Sequence, residues 1–231
     1  MLTITANRLS VGRGLETVAG PLDFAVRAGE GLVITGPNGA GKSTLLRTLA
    51  GLLRPLAGHV AVTGATAADG EPARTVAEIA HYVGHRNAMK PGVSVGDNLS
   101  FWRDYLGGGG GRSIEAALEA VGLPDLAHLP FSYLSAGQQR RTSLARLLVV
   151  ERPVWILDEP TSALDAASQQ RFGALMDAHL VGGGIVIAAT HQPLGMAAVR
   201  ELQLESRRLP AADQRTGGFD EAAIAAAEGW I

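Results

Sequence analysis

The 231-residue chain contains no cysteine. That excludes a disulfide framework, an iron–sulfur centre and a zinc site built on thiolates, and it is compatible with a reducing compartment. It lacks an excess of either charge. A net charge of −2 provides no global basic field, which argues against a nucleic-acid partner. No apolar run approaches the roughly 20 residues needed to span a bilayer. The first residues, Met1 to Leu9, alternate like a strand and lack both a basic start and a long apolar stretch, so they do not read as a signal peptide. Lysine is nearly missing: Lys42 and Lys90 stand against eighteen arginines. What remains is a chain with 46% hydrophobic residues, enough for a sizeable core in one large domain, or in one domain with a lobe.

One of the two lysines sits in Gly36-Pro37-Asn38-Gly39-Ala40-Gly41-Lys42-Ser43-Thr44. The apolar run Leu32-Val33-Ile34 precedes this segment, and Thr44 to Leu49 follows with helical periodicity. A glycine-rich loop between a strand and a helix is the context a phosphate-binding loop needs. Its glycines let backbone N–H groups approach an anion, and the helix N-terminus adds a favourable dipole. Lys42 is expected to reach the β- and γ-phosphates of a nucleoside triphosphate. The Ser43 hydroxyl is expected to ligate Mg²⁺.

The rest of the pattern reads as α/β. Leu22–Val26, His59–Val62, Ile79–Val83, Val154–Leu157 and Ile185–Ala189 have strand character, and Glu201–Leu204 suggests a last strand. The opening strands suggest a small antiparallel layer. Gly64 to Pro72 is polar and reads as surface. Between Arg86 and Val150 the periodicity turns helical, over Val95–Tyr105, Ile114–Val121 and Gln138–Val150. Gly107 to Gly111 interrupts this region with five consecutive glycines, which suggests a mobile linker. The expectation is an α/β core with an antiparallel β subdomain and a helical subdomain inserted at about 86–150.

Two further segments carry chemistry. The strand Val154–Leu157 ends in Asp158-Glu159-Pro160, followed by Thr161-Ser162-Ala163-Leu164-Asp165. An acid at such a strand's exit can reach a magnesium ion held at a neighbouring phosphate loop. Asp158 is expected to take that place through water, and Glu159 to act as general base on the attacking water. Upstream, Leu134-Ser135-Ala136-Gly137-Gln138 opens a helix, with Ser135 as cap and Gly137 allowing close backbone approach.

The phosphate loop, the Leu-Ser-Ala-Gly-Gln segment, the Asp158-Glu159 strand end, the Ala163-Leu164-Asp165 segment and His191 follow one another as in ATP-binding subunits of ABC transporters, and the chain resembles that family from Met1 to about Leu204. The resemblance implies a P-loop NTPase (RecA-like) core and an Mg²⁺-dependent ATPase. It implies a head-to-tail homodimer, in which Ser135, Ala136, Gly137 and Gln138 of one copy close on ATP held by Lys42 of the other. Glu159 and His191 would be catalytic, and Ala163, Leu164 and Asp165 would lie at the dimer contact. Two positions depart from most members. His85 stands where glutamine is usual, which implies either a metal-shell role or a hinge. No aromatic residue precedes the loop to stack on adenine, and Arg13 is the nearest candidate.

A finer resemblance is to the ATP-binding subunits of cytochrome c maturation systems, the so-called haem exporters. It rests on Tyr82-Val83-Gly84-His85, on Leu134 to Arg141, on Trp155 to Pro160, and on Gly183 to Leu194. In that group the glycine–histidine pair is usual and the adenine aromatic is often absent. The resemblance implies a separate integral membrane subunit, cytochrome c maturation partners, and a peripheral position on the cytoplasmic face of the inner membrane. A transporter ATPase with another cargo is the alternative. A translation or repair ATPase fits less well, since such proteins usually carry two cassettes or a long coiled coil. With no cysteine and no paired His/Met pattern, no direct haem contact is expected. The tail 205–231 goes beyond the resemblance; Phe219 to Trp230 suggests either an Ala-rich helix or disorder.

Overall fold

The computed structural model describes residues 1–107, 109–192, 194–196 and 199–205. The helix considered for Phe219 to Trp230 lies outside the described residues, as does the Arg13 side chain.

Two sheets share one core. Strands β1 (Thr3–Arg13), β2 (Glu16–Arg27) and β4 (Ala57–Thr63) form an antiparallel sheet in the order β2-β1-β4. Strands β3 (Gly31–Thr35), β5 (Ala80–Val83), β6 (Val154–Asp158), β7 (Ile185–Ala189) and β8 (Val199–Gln203) form a second sheet in the order β5-β6-β7-β3-β8. All its pairings are parallel. Strands β6 and β7 are buried at every position, as expected of a parallel sheet covered on both faces. Their alternate residues serve different cores. Val154 and Ile156 face the cluster built on β1 and helix α1 (Lys42–Leu49); Trp155 and Leu157 face the cluster built on helix α5 (Ala166–Val181).

The helical lobe contains α2 (Val95–Tyr105), α3 (Ile114–Ala120) and α4 (Ala136–Val149). Val95, Leu99, Leu118, Leu123, Phe131 and Ala145 make its core. Each of these helices starts at a serine. Ser94, Ser113 and Ser135 accept from the backbone N–H of Asp97, Ala116 and Gln138 respectively, which satisfies donors that have no intrahelical partner. At α4 the cap is reciprocal, with Gln138 Oε1 accepting from Ser135 N–H at 2.9 Å. The helix therefore begins at Ala136, ahead of the Gln138 start that periodicity suggests.

The lobe is bolted to the sheet by two arginines, the buried Arg146 and the half-buried Arg152. Arg146 donates to Tyr82 O at 2.6 Å and stacks over the Trp102 ring at 4.0 Å. Arg152 donates to the carbonyls of Ala77, Ala80 and Leu106. Burial lowers the Arg146 guanidinium to about 10, still charged at neutral pH. The glycine run is not a free tip where it is described. Arg112 N donates to Leu148 O at 2.7 Å and Glu151 N donates to Gly109 O at 3.2 Å. This packing corrects the reading of a mobile linker. No helix among the described residues is long and apolar enough to cross a membrane.

Candidate nucleotide-binding site

The parallel sheet gathers the sequence-predicted residues at one edge. The phosphate loop leaves the C-terminal end of β3, Asp158-Glu159 ends β6, and His191 follows β7. Strand β7 lies between the other two, and both Ile34 and Asp158 pair with Ala189. At the usual strand spacing of about 4.8 Å, β3 and β6 are therefore roughly 10 Å apart. That gap suits a polyphosphate with one carboxylate on its far side, in the crevice beyond the strands' carboxyl ends.

The loop has the backbone such a site needs. Gly36, Gly39 and Gly41 have φ of 134°, 81° and 95°, a region costly for other residues. A Cβ on Gly36 would lie 2.4 Å from Leu204 O, whereas one on Gly39 would meet nothing within 4 Å. The first glycine is thus needed to seat the loop on the end of β8; the second faces open space. Ala40 is buried and Pro37 and Asn38 are exposed. Lys42 Nζ donates to Gly36 O at 2.7 Å and to Pro37 O at 3.1 Å. An ammonium has three donors, so one remains for an anion. Ser43 and Thr44 open α1 beside it, Thr44 being buried.

Asp158 is 2% exposed, and its Oδ2 has no hydrogen-bond partner among the described residues. A buried carboxylate oxygen left without a donor is costly in isolation. Water on a magnesium ion would satisfy it, and Ser43 supplies the hard oxygen such an ion prefers. The residues present fit an Mg²⁺-nucleotide. When bound, that ion would neutralise charge on the transferred phosphoryl group.

Glu159 Oε1 lies 3.7 Å from His191 Nε2. The Glu159 backbone has φ of 47°, a left-handed conformation uncommon outside glycine. Its N–H donates to Ala189 O, and its carbonyl accepts from Ser162 Oγ at 2.9 Å and from Arg140 Nη2 at 2.7 Å. Ala163 is also left-handed, with φ of 64°. Leu164 is buried, and Asp165 caps α5 through Ser168 N–H, which holds its carboxyl below the usual range. A Cβ on Gly137 would sit 3.0 Å from Ala163 O, so the start of α4 and this segment pack closely within one chain. Ser135 and Ala136 are exposed, and Gly137 and Gln138 half-buried, leaving that helix start open to an outside anion. His85 is exposed where the chain leaves β5.

Two residues of the site escape sequence reasoning. Tyr82 is half-buried, and burial first, with the nearby Asp158 charge, raises its hydroxyl above the ordinary tyrosine value. Arg140 is buried below Asp158 and Glu159. Its acceptors are all main-chain carbonyls, so no residue type in the sequence announces them.

Comparison with known proteins agrees with this geometry. The ABC transporter family model matches residues 19–162. The cytochrome c biogenesis ATP-binding export protein CcmA of Nitrobacter winogradskyi is 56% identical over 204 residues, which cover 88% of this chain and 98% of that protein. Its namesake from Rhizobium meliloti is 52% identical over 206 residues, with the same coverage. Among solved structures, one from Pyrococcus furiosus, described as an ABC transporter ATP-binding protein, matches with a TM-score of 0.72 at 28% identity. The match covers 87% of this chain and 97% of that one. The chain is an ATPase of the ABC transporter family, and within that family it belongs with the cytochrome c biogenesis ATP-binding export proteins.

Proposed function

We propose that this chain is the ATP-hydrolysing subunit of a membrane complex for cytochrome c biogenesis. The observation that carries the reading is identity above one half to a named cytochrome c biogenesis export protein along 98% of that protein's length. Residues 1–204 act as one ATPase unit, with the helical lobe at about 86–150. Two copies associate head to tail. Gly36 to Thr44 of one copy cradle the phosphates of ATP, and Ser135 to Gln138 of the other close over them. Ser43 and the water-bridged Asp158 hold Mg²⁺. Glu159 takes the proton of the attacking water and His191 contacts the γ-phosphate. Ala163, Leu164 and Asp165 meet the second copy, and His85 serves either in the metal shell or as a hinge.

The complex sits on the cytoplasmic face of the inner membrane, bound through a separate integral subunit. The segment from His85 to Leu99 is the contact for that subunit. Next to it α2 exposes Phe101 and Tyr105, stacked at 5.8 Å, with Lys90 near the Phe101 ring. An apolar, basic surface of this kind suits a partner's cytoplasmic helix.

The test is genetic. Deleting the gene should abolish haem-stained c-type cytochromes in the periplasm. The wild-type gene should restore them, and a Glu159→Gln gene should not. Normal cytochromes after deletion would instead assign the ATPase to another cargo.

A further inference from the structure

Arg140 lies one turn into α4 and is 3% exposed. Its Nε donates to Pro160 O at 3.1 Å, Nη1 to Gly84 O at 2.8 Å, and Nη2 to both Asp158 O at 3.0 Å and Glu159 O at 2.7 Å. Among the described residues it forms no ion pair within 4 Å. A buried cation spent on four carbonyls is an expensive way to fill space. It is an effective way to fix backbone, because the guanidinium fork is planar and rigid. The carbonyls belong to two strand exits: Gly84 follows β5, and Asp158, Glu159 and Pro160 end and follow β6.

The Glu159 peptide needs such fixing. Its left-handed φ of 47° is unfavourable for a residue with a side chain. Among the described residues the bonds around it hold it there: Ala189 O on its N–H, and Ser162 N–H, Ser162 Oγ and Arg140 on its carbonyl. Relaxing that conformation would swing the carboxylate away from His191, 3.7 Å distant. We infer that Arg140 is a positioning residue for hydrolysis: it locks the Glu159 backbone so that the carboxylate points at the attacking water. The inference rests on Glu159 being the general base.

The test is a double-mutant cycle on the full chain, purified with the membrane subunit that accompanies it. Arg140→Lys keeps the charge, but an ammonium cannot span all four carbonyls. In the Glu159 background, kcat should fall on the order of tenfold to a hundredfold, the cost of displacing a catalytic group by about 1 Å. KM for ATP should stay within about twofold, because nothing uniform to ground and transition states is removed. In the Glu159→Gln background, where there is no base left to aim, Arg140→Lys should change the residual rate by less than about twofold. An unchanged kcat in the first background, or an equal loss in both, overturns the assignment and leaves Arg140 a packing residue. If Arg140→Lys does not fold, Arg140→Gln replaces it in the same cycle, since a neutral amide buries no charge and its two N–H donors cannot serve all four carbonyls. A fall in kcat confined to the Glu159 background then supports the inference; no fall, or an equal one, overturns it. Full activity of Glu159→Gln alone would refute the base assignment instead, a distinct outcome.

Discussion

Two loops of this chain are built from glycine, and they use it for opposite purposes. In the phosphate loop, a Cβ on Gly39 would enter open space at the end of β3, where an anion has room to bind. In the loop between α2 and α3, a Cβ on Gly111 would lie 2.2 Å from Val149 O. Here the space is taken by the protein's own backbone. The last carbonyls of a helix lack intrahelical partners, and residues 109–112 help to close the end of α4. Arg112 N donates to Leu148 O, and the connection after α4 is tied back by Glu151 N to Gly109 O. Glycine density alone therefore says that backbone comes close to something. Its neighbours say to what: the first loop ends in Lys42, whose ammonium keeps a donor free beside Ser43, whereas the second runs into Arg112, whose N–H is spent on Leu148 O, and Ser113, which caps α3.

Breaking the first loop should give the largest effect. Lys42→Ala removes the ammonium from an anion site, and Lys42→Arg substitutes a wide fork where a compact charge is needed. Both should abolish ATP hydrolysis while leaving the thermal midpoint near that of the wild type. Turnover of purified Lys42→Ala protein close to normal would show that the two loops do not differ as described.

The second loop should behave in the opposite way. Gly111→Val drives a branched side chain into the Val149 carbonyl and should destabilise the fold by about 1–3 kcal/mol. Hydrolysis per folded molecule should be unchanged, because this end of α4 is remote from Ser135. Urea unfolding and active-site titration, run on the same preparation, separate the two quantities.

The contrast also shows which features sequence makes legible. Helix α2 lies where its periodicity put it, at Val95–Tyr105. Strands β3, β5, β6 and β7 of the parallel sheet are legible as largely apolar runs because most of their positions are buried; the edge strand β8 is mostly exposed, and only Glu201–Leu204 suggests it. The phosphate loop and the Asp158-Glu159 exit were legible because their chemistry depends on side chains at fixed spacing. Helix α5 is not legible in the sequence. Its buried stripe, Ser168, Phe172, Met176 and Leu180 with Gly173 beside it, includes a serine and a glycine, so its apolar period is faint. The Arg140 clamp was invisible for a different reason. It joins one side chain to carbonyls up to 56 positions away, and every residue offers a carbonyl. The glycine run is ambiguous in the sequence because close backbone packing and free linkers call for the same residue.

A third change tests the α4 end by pH. His81 is buried beside it, with Nε2 donating to Val150 O at 2.9 Å. Burial is the main cause that pushes the imidazole down to about 3, with Arg146, Arg152 and His179 acting in the same direction. In the unfolded chain it would titrate near its ordinary value. As pH falls below about 6.5, the unfolded state gains a proton that the folded state refuses, so stability is lost progressively toward pH 3. Between pH 7 and pH 5 this amounts to about 2 kcal/mol. His81→Gln keeps a donor for Val150 O without titrating, so its stability should fall less over that window. Some slope should persist, because burial lowers His179 as well. Parallel slopes for the two proteins would show that His81 is not held neutral.

The smallest effect should come from within the second loop itself. A Cβ on Gly109 would meet nothing within 4 Å. Gly109 is also not among the glycines with positive φ, so a side chain there faces neither backbone strain nor collision. Its carbonyl, which accepts from Glu151 N–H, is untouched by substitution. Gly109→Ala should therefore leave stability within about 0.5 kcal/mol of wild type, the range usual for surface sites, and hydrolysis unaltered. Gly111→Ala, two residues on, adds the same methyl group beside the Val149 carbonyl and should cost measurably more. If both alanines prove neutral, the close approach at Gly111 is not a feature of the folded protein, and the loop returns to the plain linker its sequence suggests. If Gly109→Ala is as harmful as Gly111→Ala, the glycines act by a shared backbone freedom and not through one contact. Unequal costs in the stated order would assign the loop's glycine requirement to a single carbonyl at the end of α4.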